Sequence, residues 1–135
     1  MKKGLSTTQK LLITAAAFTA AIIGFMIKLP ALFRHHDKEM HALFYFLAAA
    51  FLNILFAQRR LIPHLIIFIL LYLFGMGIEY AQEYSNHYFR SKIHGRYDPE
   101  DMLWNTRGLV AFSILWCLYA GTVFLFKQTG NKKTT

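Results

Sequence analysis

The chain has 135 residues, 56% of them hydrophobic and only 16% charged, with a formal net charge of +8. An ordinary soluble domain carries about 25% charged residues, so this composition excludes one, and the length allows one domain at most. A single cysteine, Cys117, excludes an intrachain disulfide. It reads as a small apolar packing residue.

The apolar residues fall into four blocks, Leu11–Ile27, Ala42–Ala57, Leu61–Ile78 and Gly108–Phe126, and none contains Asp, Glu, Lys or Arg. Each is roughly long enough to cross ~30 Å of hydrocarbon at ~1.5 Å per residue. A water-soluble four-helix bundle would need polar outward faces on these segments, and they have almost none. The fold class that follows is all-α, a four-span transmembrane bundle with an extended polar loop before the last span. Residues 1–10 form a tail, 11–127 the membrane domain and 128–135 a second tail. The first block follows a basic start, as a signal peptide would, but no small-x-small cleavage site follows it. It is therefore read as an uncleaved span.

Four spans divide the charge. Lys2, Lys3, Lys10, Arg59, Arg60, Lys127, Lys132 and Lys133 lie on one side with no acid among them. Lys28, Arg34, Lys38, Arg90, Lys92, Arg96 and Arg107 lie on the other, with every acid of the chain. The first group sits in short tails and one tight turn, which favours that side as cytoplasmic. The expected location is thus a cytoplasmic (inner) membrane, with both termini inside and the acid-rich face outward. The charge so divided is not a nucleic-acid footprint, and no nucleic-acid partner is expected.

In chain order, the first span is rich in Ala and Thr and is expected to pack closely on its neighbours. Pro30 and the charged run Arg34–Glu39 interrupt the chain before the second. Asn53, inside the second span, is expected to make an interhelical hydrogen bond. Gln58-Arg-Arg60 is a short turn, Pro63 suits the first turn of the next helix, and His64 beside that turn is expected at the interface. The third helix has no breaker after Ile78, so Glu79 to Phe89 continues it. Tyr80, Tyr84 and Tyr88 recur every four residues, a stripe suited to the headgroup zone. Asp98-Pro99-Glu100-Asp101 is a helix start, with Asp98 as N-cap and Pro99 at the first position. Asp37 is an alternative N-cap for the second helix.

Three polar stripes then stand at one depth. Asp37 and His41 are four apart at the outer mouth of the second span. Gly75, Glu79 and Gln82 form a stripe at the outer end of the third, and Asp101, Asn105 and Gly108 repeat it at the outer end of the fourth. Ionisable groups near a bilayer are expensive and turn toward the bundle interior, paired with one another. One outward-facing pocket follows, with Asp37, Glu79 and Asp101 as acids, Lys38, His41 and Arg96 as cations or donors, and Gln82 and Asn105 as polar lining. Glu79 has no cap to make and directly follows an apolar run, so it is the residue least explained by local structure.

The ordered set Asp-Lys-x-x-His, Glu-x-x-Gln and Arg…Asp-x-x-x-Asn-x-x-Gly resembles the pattern of VanZ-like membrane proteins. Here it falls on Asp37, Lys38, His41, Glu79, Gln82, Arg96, Asp101, Asn105 and Gly108, and the likeness covers about Asp37 to Phe126. Arg107 stands where that family usually has an apolar residue. The founding member is linked to teicoplanin resistance, so the resemblance implies a site facing an envelope lipid or cell-wall precursor. The leading expectation is recognition or modulation of such a lipid, with Arg96 and Lys38 on its phosphate or carboxylate and the acids fixing those cations. The alternatives are an intramembrane hydrolase or transferase on a lipid-linked substrate, with His41 or Glu79 as general base, and a small ion- or proton-coupled transporter. Whether the chain is an enzyme stays open. The spacing carries no metal-ligand signature and names no cofactor, although His41 with the acids would be the ligands in an enzyme that used a metal. Partners are expected to be the membrane and its lipids, with a homo-oligomer possible.

Overall fold

The computed structural model describes residues 4–27, 36–90 and 97–131. Among them the chain is a bundle of four long helices: α1 (Thr7–Met26), α2 (Asp37–Leu52, continued by a π-helical turn over Asn53–Ala57), α3 (Leu61–Phe89) and α4 (Pro99–Asn131). All four are long and apolar enough to cross a membrane. The reading as a multi-pass membrane protein follows from how little of that apolar surface is covered. Leu12, Ile54, Ile62, Leu70, Leu118 and Phe126 are all more than half exposed, a coat far beyond the few hundred Å² a soluble monomer tolerates.

Helix ends follow local chemistry. α1 begins at Thr7, ahead of its apolar block, because Ser6 and Gln9 form a reciprocal capping box. α4 begins at Pro99, and the Asp98 carboxylate accepts the Glu100 N–H at 2.8 Å. Asp37 does not cap α2. That position is His36, which makes no side-chain cap bond, and Asp37 occupies the first turn, where an acid favours the helix dipole. α3 extends to Phe89 with Tyr80, Tyr84 and Tyr88 exposed along one side. At ~1.5 Å per residue, α3 runs about 43 Å, longer than the ~30 Å that hydrocarbon requires.

The core lies between α2, α3 and α4, around Tyr45, Ala48, Ala49, Leu52, Ile67, Leu71 and Leu109. Gly108 brings α4 against α2: a Cβ there would fall 2.1 Å from the Ala42 carbonyl oxygen. Gly75 does the same for α3, whose added Cβ would come within 3.0 Å of Asn105 Nδ2 and Tyr45 Oη. α1 departs from expectation. It buries no residue, because Ala and Thr offer little to interlock, and it is held instead by rings and two polar ties. Phe18 meets Phe74 edge-on and Phe25 meets Phe44 edge-on. The Lys10 ammonium reaches the Leu55 carbonyl at 2.6 Å, and the Gln82 amide donates to the Phe25 carbonyl at 2.9 Å. Cys117 is exposed on α4, not packed between helices.

Candidate functional site

The two ties of α1 mark opposite ends of the bundle. At the end holding Lys10 and the Gln58–Arg60 turn, the π-helical turn gathers a polar cluster. Asn53 Nδ2 donates to the Ala49 carbonyl, which turns its Oδ1 toward His64, and the His64 Nδ1–H donates to it at 2.8 Å. The imidazole stacks flat on Trp116, centroids 4.2 Å apart, and the indole N–H donates to the Gln58 carbonyl at 3.2 Å. Asn53 makes the interhelical bond its position called for. His64 is buried, at 4% exposure, beside the Gln58–Arg60 turn. These contacts make the cluster a lock joining α2, α3 and α4.

The opposite end carries the acids. α2 and α4 both begin there, and Glu79 lies about 27 Å along α3 at ~1.5 Å per residue, level with their first turns. Asp37 and His41 are one turn apart on α2, with His41 Nε2 3.9 Å from Asp37 Oδ1. Asp101 comes from the first turn of α4. The ligand atoms of Asp37, His41 and Asp101 all lie within 4.8 Å of one another. His41 is 6% exposed and Glu79 1%. One Glu79 oxygen accepts the Asp98 backbone N–H at 3.1 Å, so the buried carboxylate of α3 fastens the start of α4. The other oxygen, Oε1, is buried with no hydrogen-bond partner among the described residues, and so is Asp101 Oδ1. Among the described residues, Asp101, His41 and Asp98 are the titratable groups of acid or imidazole type within electrostatic reach of Glu79.

Asn105 sets the imidazole. Its Oδ1 lies 2.9 Å from His41 Nδ1, and an amide oxygen only accepts, so Nδ1 carries the proton and Nε2 is left with a lone pair or a second proton facing Asp37. The ring also lies 5.2 Å from that of Phe25.

Every residue singled out for the pocket in the sequence, Arg96 excepted, has a described position. Asp37, His41, Glu79, Asp101 and Asn105 converge. Lys38 turns outward to an ion pair with Glu100, while staying within electrostatic reach of Asp101. Gln82, one turn beyond Glu79, spends its amide on the Phe25 carbonyl of α1 and so closes the flank of the pocket instead of lining its floor. Arg96 lies outside the described residues. Arg107 does not enter the pocket, and its guanidinium lies over the Trp104 ring at 4.5 Å. The Asp98 N–H and Glu100 were read in the sequence as helix-start chemistry alone. Their second role, holding Glu79 and Lys38, depends on contacts that no local pattern announces.

The chain matches no protein-family model, no curated protein and no solved structure. The cluster is acid-rich and drawn from three helices, with His41 and Glu79 buried and Asp37 and Asp101 half-buried.

Proposed function

We propose that this protein is a VanZ-like membrane protein whose polar pocket faces out of the cell and recognises or modulates an envelope lipid or lipid-linked cell-wall precursor. The observation that carries the reading is the nearly inaccessible Glu79 carboxylate, set against His41 and Asp101 from two other helices. Burying charge at this depth is costly and is not needed to hold four apolar helices together. Orientation with both termini cytoplasmic rests on the basic tails and the Gln58–Arg60 turn.

An amphiphile, not a free anion, is favoured by what adjoins the pocket. A cavity of about 190 Å³ between α1 and α2 is lined by Ala17, Phe18, Ala21, Phe44, Leu47, Ala48 and Phe51. Phe44 packs on Phe25, whose ring lies against His41, so an apolar slot and a polar pocket share one aromatic wall. A headgroup at His41 and a chain along α1 and α2 use both. Arg96, two residues before Asp98, is assigned to the anionic headgroup.

The second reading is an intramembrane hydrolase or transferase. It is favoured by the oriented imidazole, since His41 Nδ1 bound to Asn105 is how a general base is held.

Native mass spectrometry of the purified chain with phosphatidylglycerol, phosphatidylcholine and a polyprenyl pyrophosphate tests the first reading. Preferential retention of one anionic lipid, weakened by Arg96→Ala, is the expected result. Equal retention of all three overturns it. Turnover of the pyrophosphate, lost in His41→Gln while retention persists, moves the assignment to the second.

A further inference from the structure

We infer that the pocket is a binding site for one divalent transition-metal cation, held by Asp37, His41 and Asp101. It is through this cation that an acid-rich cavity receives an anionic headgroup. The cation site stands on geometry alone; its link to lipid rests on the function proposed above.

Three observations converge. The first is the donor set. One imidazole nitrogen and two carboxylate oxygens lie within 4.8 Å of one another, contributed by two helices. Metal–ligand bonds of ~2.0–2.1 Å place neighbouring ligand atoms about 3.3 Å apart, so small side-chain rotations bring these atoms into range. The second is the prepared imidazole. Asn105 Oδ1 accepts the hydrogen bond of the Nδ1–H and leaves Nε2, the nitrogen facing Asp37, to ligate. Metal-bound histidines are held in this way through their other nitrogen.

The third observation is independent of the cluster. Glu79, on a third helix and 99% buried, keeps Oε1 without a partner beside Asp101 and His41. Asp101 Oδ1 is equally unpartnered among the described residues. Among the described residues, the one lysine or arginine within electrostatic reach of these carboxylates is Lys38, itself paired with Glu100, and buried carboxylates without a close counter-charge are strongly disfavoured. A divalent cation on Asp37 and Asp101, with Glu79 in its outer shell or accepting from a bound water, supplies it.

The ligand types indicate the metal. Mg²⁺ and Ca²⁺ select oxygen-only shells, whereas a mixed imidazole–carboxylate set suits Zn²⁺ or Mn²⁺. Three protein ligands leave at least one coordination position open. A phosphate or carboxylate oxygen fits it, and repulsion by the acids becomes attraction.

The test uses the tag-free full chain in detergent, stripped with a chelator, then titrated with Zn²⁺, Mn²⁺ or Mg²⁺. The expected result is one equivalent of Zn²⁺ or Mn²⁺ per chain, an increase in Tm on binding, and Mg²⁺ much weaker. Asp37→Asn, at the half-buried start of α2, weakens binding at least 10-fold, as does Asp101→Asn. Asn105→Ala weakens it about 10- to 100-fold, the range for a lost outer-shell partner, while helix content by circular dichroism is retained. Arg96→Ala leaves binding at least as tight. Zn²⁺ affinity unchanged in Asp37→Asn and Asp101→Asn overturns the site. So does binding that appears only in Arg96→Ala, which would make the arginine the native counter-charge. Repeating the lipid measurement with and without Zn²⁺ separates the two claims. Metal bound without headgroup preference leaves the site and removes the lipid reading, whereas anionic-lipid preference independent of metal keeps the lipid reading and overturns the link through the cation.

Discussion

His41 Nδ1 on α2 and Asn105 Oδ1 on α4 lie 2.9 Å apart although 64 residues separate them in the chain. This single bond sets the tautomer of the His41 imidazole and registers α2 against α4. Replacing Asn105 with Ala leaves a buried N–H unpaired, at a cost of about 1–3 kcal/mol. In a membrane bundle, interhelical hydrogen bonds average ~0.6 kcal/mol by double-mutant cycle. The cycle His41→Ala, Asn105→Ala should return a coupling of that order in denaturant or SDS unfolding. Strict additivity would show the bond contributes nothing.

Gly108 is required by contact, not by conformation. A methyl group at that position would fall 2.1 Å from the Ala42 carbonyl oxygen, and backbone cannot swing aside as a side chain can. Gly108→Ala should therefore force α2 and α4 apart and destabilise by about 1–3 kcal/mol, the usual range for overpacking. Gly77 and Gly121 face open space, and Gly77→Ala and Gly121→Ala should be neutral or slightly stabilising. A melting series in one detergent compares them; a Gly108→Ala protein as stable as wild type would contradict the packing.

Glu79 separates charge from hydrogen bonding. Glu79→Gln keeps an oxygen for the Asp98 N–H and puts an N–H₂ donor where Oε1 has no partner. In the absence of metal it should be as stable as wild type or more so. Glu79→Leu leaves the Asp98 N–H without its acceptor and should lose about 1–3 kcal/mol. Thermal unfolding of both variants in chelator decides; the opposite order would mean that the carboxylate charge itself stabilises the fold.

The His64 cluster predicts a graded loss. Trp116→Phe removes the indole N–H donated to Gln58 while keeping a ring on His64. It should cost about 0.5–1.5 kcal/mol, the usual net value of one hydrogen bond. Trp116→Ala removes the stack as well and should cost about 3–5 kcal/mol. Neither change should alter metal or lipid binding, because the cluster lies at the opposite end of the bundle. Equilibrium unfolding with parallel ligand titration checks both statements.

The amino-acid sequence by itself determined the four spans, the helix start at Asp98–Pro99, the continuation of α3 past Ile78 and the shared depth of three polar stripes. These are local properties: an apolar run, a cap and a repeat of three or four residues need no knowledge of the neighbours. Only the tertiary structure decided which polar groups meet. Lys38 could have faced Asp101, but it pairs with Glu100. Gln82 shares a stripe with Glu79, but it reaches α1. His64, beside the Gln58–Arg60 turn, is sealed beneath Trp116. The reason is that a helix face spans many degrees, and its contacts depend on how closely the adjoining helix approaches. Here that approach is set by glycines at 75 and 108, whose missing side chains matter only once Tyr45, Asn105 and Ala42 stand opposite them.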